Sequence, residues 1–319
     1  MNWPKFLESP RNRKVLLASA ASLAAAGLGT YLYASLIESR RYRLDSVKVN
    51  TGRLLNEDKE EGHNGPIRED ERGLLRLRIL HLSDLHLCAP ESHKIDFLRR
   101  ATEAQYDLIV ITGDIFENFT GLQYASQIIS RPPRLGVYAV LGNHDYYDYN
   151  MIHKTIGRVV KRFRTPKHMR DVTPMIEALE SAGMHVLRNT SATHSADKLH
   201  ILGIDYPGIS ESKLNELVDS APEDHLIMTL MHVPNNLERL QKAGIHLAFG
   251  GHTHGGQVRI PIYGPIITNS DLPRHEASGL IWRGATAIHV SRGVGADPRS
   301  NFRLFCPPHG SIIEVCHRK

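Results

Sequence analysis

Apolar positions along this chain fall into three regimes. The first is one uncharged run, residues 15–37, reading VLLASAASLAAAGLGTYLYASLI. As a helix rising about 1.5 Å per residue, it is long enough to cross a hydrocarbon core of about 30 Å. The second regime, residues 50–73, has no long apolar period. It holds Glu57, Asp58, Lys59, Glu60 and Glu61, then Gly62, Gly65 and Pro66, which predicts a solvated linker or long surface loop. From Leu74 onward the apolar residues come in short runs, often β-branched, bounded by Gly, Asp and Pro. Such runs favour strands over core helices. They predict strands at 75–82, 108–112, 137–141, 199–204, 226–231, 247–249, 287–290 and 311–315, with a helix at 94–105. The class is therefore α/β. The expected organisation is an anchor with basic flanks at 1–49, a linker at 50–73 and a catalytic domain at 74–319.

The apolar run reads first as an uncleaved membrane anchor. A cleaved signal peptide and an interfacial or soluble helix are the alternatives. It exceeds the usual signal-peptide core, and no twin-arginine pair precedes it. Ala25 and Gly29 are spaced to let another helix approach. Lys5, Arg11, Arg13 and Lys14 precede the run, and Arg40, Arg41, Arg43 and Lys48 follow it. This near balance leaves the orientation open.

Composition adds little to that layout but narrows the chemistry. With 319 residues there is enough chain for one substantial core. The net charge of +5 favours anionic partners without choosing among them. The three cysteines Cys88, Cys306 and Cys316 have no metal-ligand spacing, and their odd number argues against a disulfide framework. No dinucleotide fingerprint or phosphate-binding loop occurs. Histidine, however, is abundant at 19 residues.

Those histidines concentrate with aspartates in five segments: HLSDLHL, TGDIFEN, LGNHDYY, MHVPN and GGHTHGG. Most follow a predicted strand, so a rigid sheet can bring them together from distant positions. Asp84, His86, Asp114, Asn143, His232, His252 and His254 offer carboxylate, carbonyl and imidazole ligands for two metal ions. Asp114 is able to give one carboxylate to both. The imidazole content suits Mn²⁺, Fe²⁺ or Zn²⁺ better than Ca²⁺. His81 and His246 read as packing or hydrogen-bonding residues.

The ordered set Asp84-Leu85-His86, Gly113-Asp114, Gly142-Asn143-His144-Asp145, His232 and Gly251-His252-Thr253-His254 resembles the calcineurin-like metallophosphoesterase family. The resemblance covers roughly residues 74–316. It implies a four-layer α/β sandwich with the metals at the strand ends, preceded here by the apolar helix. It implies one ion on Asp84, His86, Asp114 and His254, and another on Asp114, Asn143, His232 and His252, with Mn²⁺ favoured. Asn143 and His144 would contact the substrate phosphate. His144 would orient or protonate the leaving oxygen, and Asp145 would hold its imidazole in one tautomer. Water would attack phosphorus directly, without a phospho-enzyme.

Within that family, HLSDLHLCAPESHKIDFLRR, GNHDYYDYN and GGHTHGGQ more narrowly resemble the membrane-associated chlamydial UDP-2,3-diacylglucosamine pyrophosphatases of lipid A synthesis. That implies cleavage of a UDP-linked glycolipid to UMP and 2,3-diacylglucosamine 1-phosphate, at a bacterial inner membrane, with the catalytic domain facing the cytoplasm. Residues 152–170 supply a second lipid signal. Ile152, Ile156, Val159, Val160 and Phe163 would share one helical side, amid Lys154, Arg158, Lys161, Arg162, Arg164, Lys167 and Arg170. This basic amphipathic segment, through Arg158, Lys161 and Arg162, would face an anionic lipid. An ordinary surface helix is the competing reading. No specific nucleic-acid partner is expected, because the segment lacks a repeated aromatic platform. Two other readings stay open: a phosphodiesterase for another phospholipid or small ester, and a non-enzymatic metal-binding scaffold.

Overall fold

The computed structural model describes residues 9–52, 74–154, 156, 160, 162, 166–268, 270–296 and 301–318. The acidic linker cluster at 57–61 and the basic residues Arg158 and Lys161 lie outside that set.

Helix α1 (Pro10–Leu32) carries the apolar run with no buried residue. It continues through a wider turn at Tyr33–Ile37 and a tighter one at Glu38–Arg40. Here the side chains change environment: Ala34, Glu38 and Ser39 are buried against the rest of the protein. The Glu38 carboxylate accepts a hydrogen bond from the Cys306 amide at 2.7 Å, and the Ala34 carbonyl accepts one from the Arg303 amide at 3.1 Å.

Strand β1 (Arg43–Gly52) follows at once and corrects the expected organisation. It lies in the stretch assigned to the anchor flank and linker, yet it pairs in parallel with the last strand over its whole length. Its alternation of Val47, Val49 and Thr51 is a half-buried strand pattern that the neighbouring charges obscure. The sheet therefore begins at Arg43, upstream of Leu74.

Strands β2 (Leu74–Leu82), β3 (Leu108–Thr112), β4 (Val137–Val140) and β5 (Met184–Val186) extend this first sheet. The second sheet contains β6 (Thr190–His194), β7 (Leu199–Ile204), β8 (Leu226–Met231) and β9 (Leu247–Gly250). A two-stranded hairpin, β10 (Arg259–Ile260) and β11 (Gly264–Pro265), stands apart. Then β12 (Gly279–Arg283) and β13 (Thr286–Val290) complete the second sheet, and β14 (His309–Arg318) returns to the first. The strand orders are β1-β14-β2-β3-β4-β5 and β12-β13-β9-β8-β7-β6.

Period-2 side-chain alternation sorts these strands between layers. Leu77, Ile79, Leu108 and Val110 of the first sheet meet Ile201, Met228, Leu247 and Phe249 of the second in one apolar core. Leu80, Leu82, Ile109 and Ile111 point the other way. There they pack with α2 (His93–Ala101) and α3 (Thr173–Ser181). Leu202, Ile204, Ala248 and Ile288 meet α4 (Glu211–Asp219) and α5 (Glu238–Lys242) on the far side of the second sheet. Two sheets between helical layers make the four-layer α/β sandwich. Strands buried on both faces need the nearly continuous apolar runs seen in LIVIT and LHILGI.

Helix α2 stops at Ala101, short of the expected residue 105. The buried Thr102 hydroxyl donates back to the Leu98 carbonyl and accepts from the Ser130 amide, fixing the turn into β3. The basic segment also departs from expectation. Its described helix is one turn, Met151–Lys154, and Arg162 is exposed. Arg170 is drawn inward instead of joining a basic wall. Its guanidinium donates to the carbonyls of His144 at 3.1 Å and Glu117 at 3.2 Å.

Candidate metal centre

The five motifs meet where strands of both sheets end. After β2 and β3 the two chains stay side by side: the amides of Asp84, His86 and Leu87 donate to the carbonyls of Gly113, Asp114 and Ile115. This continued pairing sets Asp84 and His86 beside Asp114. The second sheet contributes His232 after β8, then His252 and His254 after β9. The Gly251 amide donates to the His232 carbonyl within the second sheet's end, and the Gly295 amide donates to the Asp84 carbonyl, lacing the two sheet ends together. Gly113 must lack a side chain here. Its φ is +81°, and a Cβ would lie 2.7 Å from His232 Nδ1.

Backbone strain concentrates at the same place. Asp84, His86, Asp114, His252 and His254 all have positive φ, between 44° and 68°. Asp and His tolerate this region better than most residues, but each still costs on the order of 1–3 kcal/mol. Five such residues in one cluster mark a place where side-chain direction is enforced by its surroundings.

Among the described residues, three groups of side chains converge closely enough to hold an ion: Asp84 with His86 and His254, His86 with Asp114 and His144, and Asp114 with His232 and His252. Ligand atoms within each group lie within 4.8 Å of one another. The Asp114 carboxylate stands 3.2 Å from His232 Nε2 and 3.6 Å from His86 Nε2. Asn143 Oδ1 is 3.0 Å from His232 Nε2, placing the amide in the same cluster. His254 Nε2 is 3.5 Å from Asp84.

The donor chemistry fits divalent ions. Asp84 and Asp114 are buried, a costly arrangement for carboxylates without cations. His86 Nε2 is a buried nitrogen without a hydrogen-bond partner. Burial disfavours a charged His232, but Asp114 outweighs it and draws the imidazole pKa up to about 9. Burial and then Asp114 raise the Asp84 pKa. Burial, with His86 and Arg303 nearby, keeps His254 neutral, the state that ligates metal. Asp114 and His232 thus pair as anion and cation while His254 stays neutral, and a divalent ion would take the place of the His232 proton.

The second layer identifies a residue that the motif reading passed over. Glu117 Oε2 accepts from His86 Nδ1 at 2.9 Å and His144 Nδ1 at 3.0 Å. Burial opposes its ionisation, but these hydrogen bonds prevail and hold its carboxyl below the usual range. Glu117 therefore fixes the rings of both His86 and His144. The available signal was its place three residues after Asp114 in TGDIFEN.

This corrects the expected role of Asp145. Its buried carboxylate accepts from the amides of Ile115, Phe116 and Gly142 at 2.8–3.3 Å. It ties the loop after β3 to the loop after β4, while Glu117 holds the His144 imidazole. His144 is pinned further by its amide, which donates to Asp114 Oδ1 at 2.8 Å, and by the Tyr149 ring at 4.7 Å. Arg303 was also missed. Fully buried, it donates to the carbonyls of Arg292, Gly293, Gly295 and Cys306, and one guanidinium nitrogen lies 3.4 Å from His254 Nδ1.

His81 and His246 have structural roles, as expected. His81 bonds His289 and Thr112 inside the core, and His246 Nδ1 accepts from the Ile227 amide. All three cysteines are free.

The chain is similar to several known proteins. It is 25% identical over 313 residues to an uncharacterized metallophosphoesterase of Bacillus subtilis, covering 94% of this chain and 93% of that one. It is 27% identical to the UDP-2,3-diacylglucosamine pyrophosphatase of Chlamydia trachomatis, covering 94% and 97%. A phosphodiesterase of Escherichia coli is 28% identical, covering 75% and 82%. The profile of the calcineurin-like phosphoesterase family matches residues 77–256, more than half of the 319, and spans every motif of the cluster. By that match and the geometry of its candidate metal centre, this chain belongs to the calcineurin-like phosphoesterase family.

Proposed function

We propose that this protein is a membrane-anchored, dinuclear metal-dependent hydrolase of UDP-2,3-diacylglucosamine, releasing UMP and 2,3-diacylglucosamine 1-phosphate. The observation carrying the hydrolase reading is the largely buried cluster of Asp84, His86, Asp114, His232, His252 and His254, whose converging groups are linked through His86 and Asp114. Asp84, His86, Asp114 and His254 would hold one divalent ion. Asp114, Asn143, His232 and His252 would hold the other, with Mn²⁺ favoured over Fe²⁺ or Zn²⁺. Such a pair supplies activation of the attacking water and neutralises charge on the phosphate.

The chain's own residues do the rest. Water adds to one phosphorus, the bridging P–O bond breaks, and the departing oxygen takes up a proton. His144 is the donor in this reading when both ring nitrogens carry protons: Nδ1–H stays on Glu117 and the Nε2 proton passes to the leaving oxygen. Asn143 and His144 contact the phosphate. Arg170 binds the His144 and Glu117 carbonyls and keeps donor and support in register. Asp145 keeps the Gly142 turn and the Asp114 loop together.

The substrate assignment is supported by similarity to the chlamydial enzyme over nearly the whole of both chains. Among the described residues, one helix, Pro10–Arg40, is long and apolar enough to cross a membrane. A nucleotide-linked lipid suits a catalytic domain held beside a bilayer. The nucleotide lies in the cytosol, so we place that domain on the cytoplasmic side of the inner membrane. Exposed Arg162, with Arg158 and Lys161, would attract the anionic lipid.

The similarity to the Escherichia coli phosphodiesterase supports a second reading, action on another phospholipid or small ester. Products resolved from UDP-2,3-diacylglucosamine and from a glycerophosphodiester in the same detergent separate the two. UMP release in preference to diester cleavage supports the first reading. Diester cleavage with the UDP-lipid left intact selects the second.

A further inference from the structure

The segment Phe302–Cys306 joins two features that no motif connects. On one side it holds the end of the apolar helix: the Arg303 amide donates to the Ala34 carbonyl, the Cys306 amide to Glu38, and the Phe302 ring lies 6.4 Å from Tyr31. On the other side it holds the β10–β11 hairpin. The Arg259 amide donates to the Leu304 carbonyl at 2.9 Å, and the Leu304 amide to the Gln257 carbonyl at 3.1 Å. That hairpin leaves the metal-site loop immediately after His254, and Gly256 sits tightly against Pro265 and Ile267.

The hairpin is apolar where a soluble hairpin is polar. Ile260, Ile262, Tyr263, Ile266 and the neighbouring Phe305 are all exposed. Ile262 stands fully exposed at the tip with φ of +70°. A β-branched residue is among the worst choices for that left-handed conformation, where Asn or Gly suits a solvated turn. Its methyl groups need a covering environment to make sense of the cost. Leu36 and Ile37, at the end of the helix, are exposed as well. Exposed Arg40, Arg41 and Arg43 follow that end, and Arg274 stacks over Tyr263 at 4.7 Å. Cationic residues and a tyrosine bordering apolar side chains compose an interface between hydrocarbon and headgroups.

We propose that the β10–β11 hairpin and Phe305 form a second membrane contact, inserted in the lipid interface beside the end of α1. The proposal rests on reading α1 as a membrane anchor. Continuity with α1 through Phe302–Cys306 selects a bilayer as the occupant of the patch. The contact is shallow, about 5–10 Å into the headgroup and acyl boundary. It would hold the His252–His254 loop close to the membrane surface, so that a lipid phosphate meets the metal centre without leaving the bilayer.

The test uses the full-length protein in nanodiscs of phosphatidylethanolamine and phosphatidylglycerol. Part of the lipid carries bromine near the headgroup end of its chains. Ile262→Trp is compared with Arg131→Trp, an exposed position at the opposite end of the first sheet, and wild-type emission is subtracted. Loss and blue shift of the Ile262→Trp emission, with none for Arg131→Trp, is the expected result. Equal, weak quenching of both overturns the proposal. Emission that follows the number of protein copies per disc, and not bromination, also overturns it and assigns the patch to a second copy. Ile262→Asn should keep or raise the melting temperature in detergent, since it relieves the turn. A clear fall would contradict a membrane role by showing that the isoleucine stabilises the protein itself. No substrate is present, so these outcomes are independent of the UDP-lipid reading.

Discussion

Replacing Glu117 by Gln isolates the support beneath the candidate centre. One carboxylate oxygen, Oε2, accepts from both His86 Nδ1 and His144 Nδ1, at 2.9 and 3.0 Å, and the residue is buried. Glutamine is nearly the same size but neutral, and its single carbonyl oxygen faces a competing NH₂ donor. The substitution therefore weakens two charge-assisted bonds, each worth about 1.5–3 kcal/mol, without opening a cavity. One such loss corresponds to roughly a 10–100-fold change, the range usual for supports of metal-ligating histidines. Turnover at saturating metal reads the His144 branch, and the metal concentration for half-activation reads the His86 branch. Both should worsen. In a His144→Ala background, the turnover effect of Glu117→Gln should largely vanish, because the residue it positions is gone. Turnover and metal dependence equal to wild type would refute the assignment of Glu117.

Three other outcomes follow from the same geometry. His144→Ala should slow turnover by about 10²–10⁴-fold on an alkyl phosphodiester and by less on a nitrophenyl diester, whose leaving group needs no proton; equal losses would limit His144 to positioning. Asp145→Ala should lower stability by about 3–4 kcal/mol, since several buried amides lose their acceptor; denaturant unfolding in detergent checks this, and unchanged stability with lost turnover would restore a chemical role to Asp145. Deleting residues 1–32 should leave the protein removable from membranes by washing, held only by the shallow hairpin contact, with its melting temperature kept, whereas deletion through Arg40 should lower that temperature. The longer deletion also removes the Glu38 acceptor, a loss of about 1–3 kcal/mol, and equal melting temperatures would contradict that docking.

Much of the fold was legible because buried strands advertise themselves. LIVIT and LHILGI become β3 and β7 with the expected ends, since strands packed on both faces tolerate few polar residues. Strand β1 was not legible in the same way. It lies at the edge of its sheet, shows one buried face and carries Arg43, Asp45 and Lys48, so its charges resemble a linker. Pairing with β14, which is distant in sequence, makes it a strand. The candidate ligands were legible because the side-chain types and their order carry the chemistry. Their supports were not. Glu117, Arg170 and Arg303 act through ring nitrogens and carbonyls brought close only by the folded loops. Conversely, Asp145 sits beside His144 in the chain but turns to backbone amides, because adjacent residues point in different directions.

Metal stoichiometry measured against activity tests the central claim most directly. Metal-free full-length protein would be titrated with Mn²⁺, and bound metal and phosphodiester hydrolysis would be followed in the same samples. Two bound equivalents per chain are expected, with activity rising as the second fills, and with Asp114→Ala losing at least about 10²-fold in turnover because both ions would share that carboxylate. Full activity without metal, saturation at a single equivalent, or two bound ions with wild-type turnover in Asp114→Ala would contradict a two-ion hydrolase centred on Asp114.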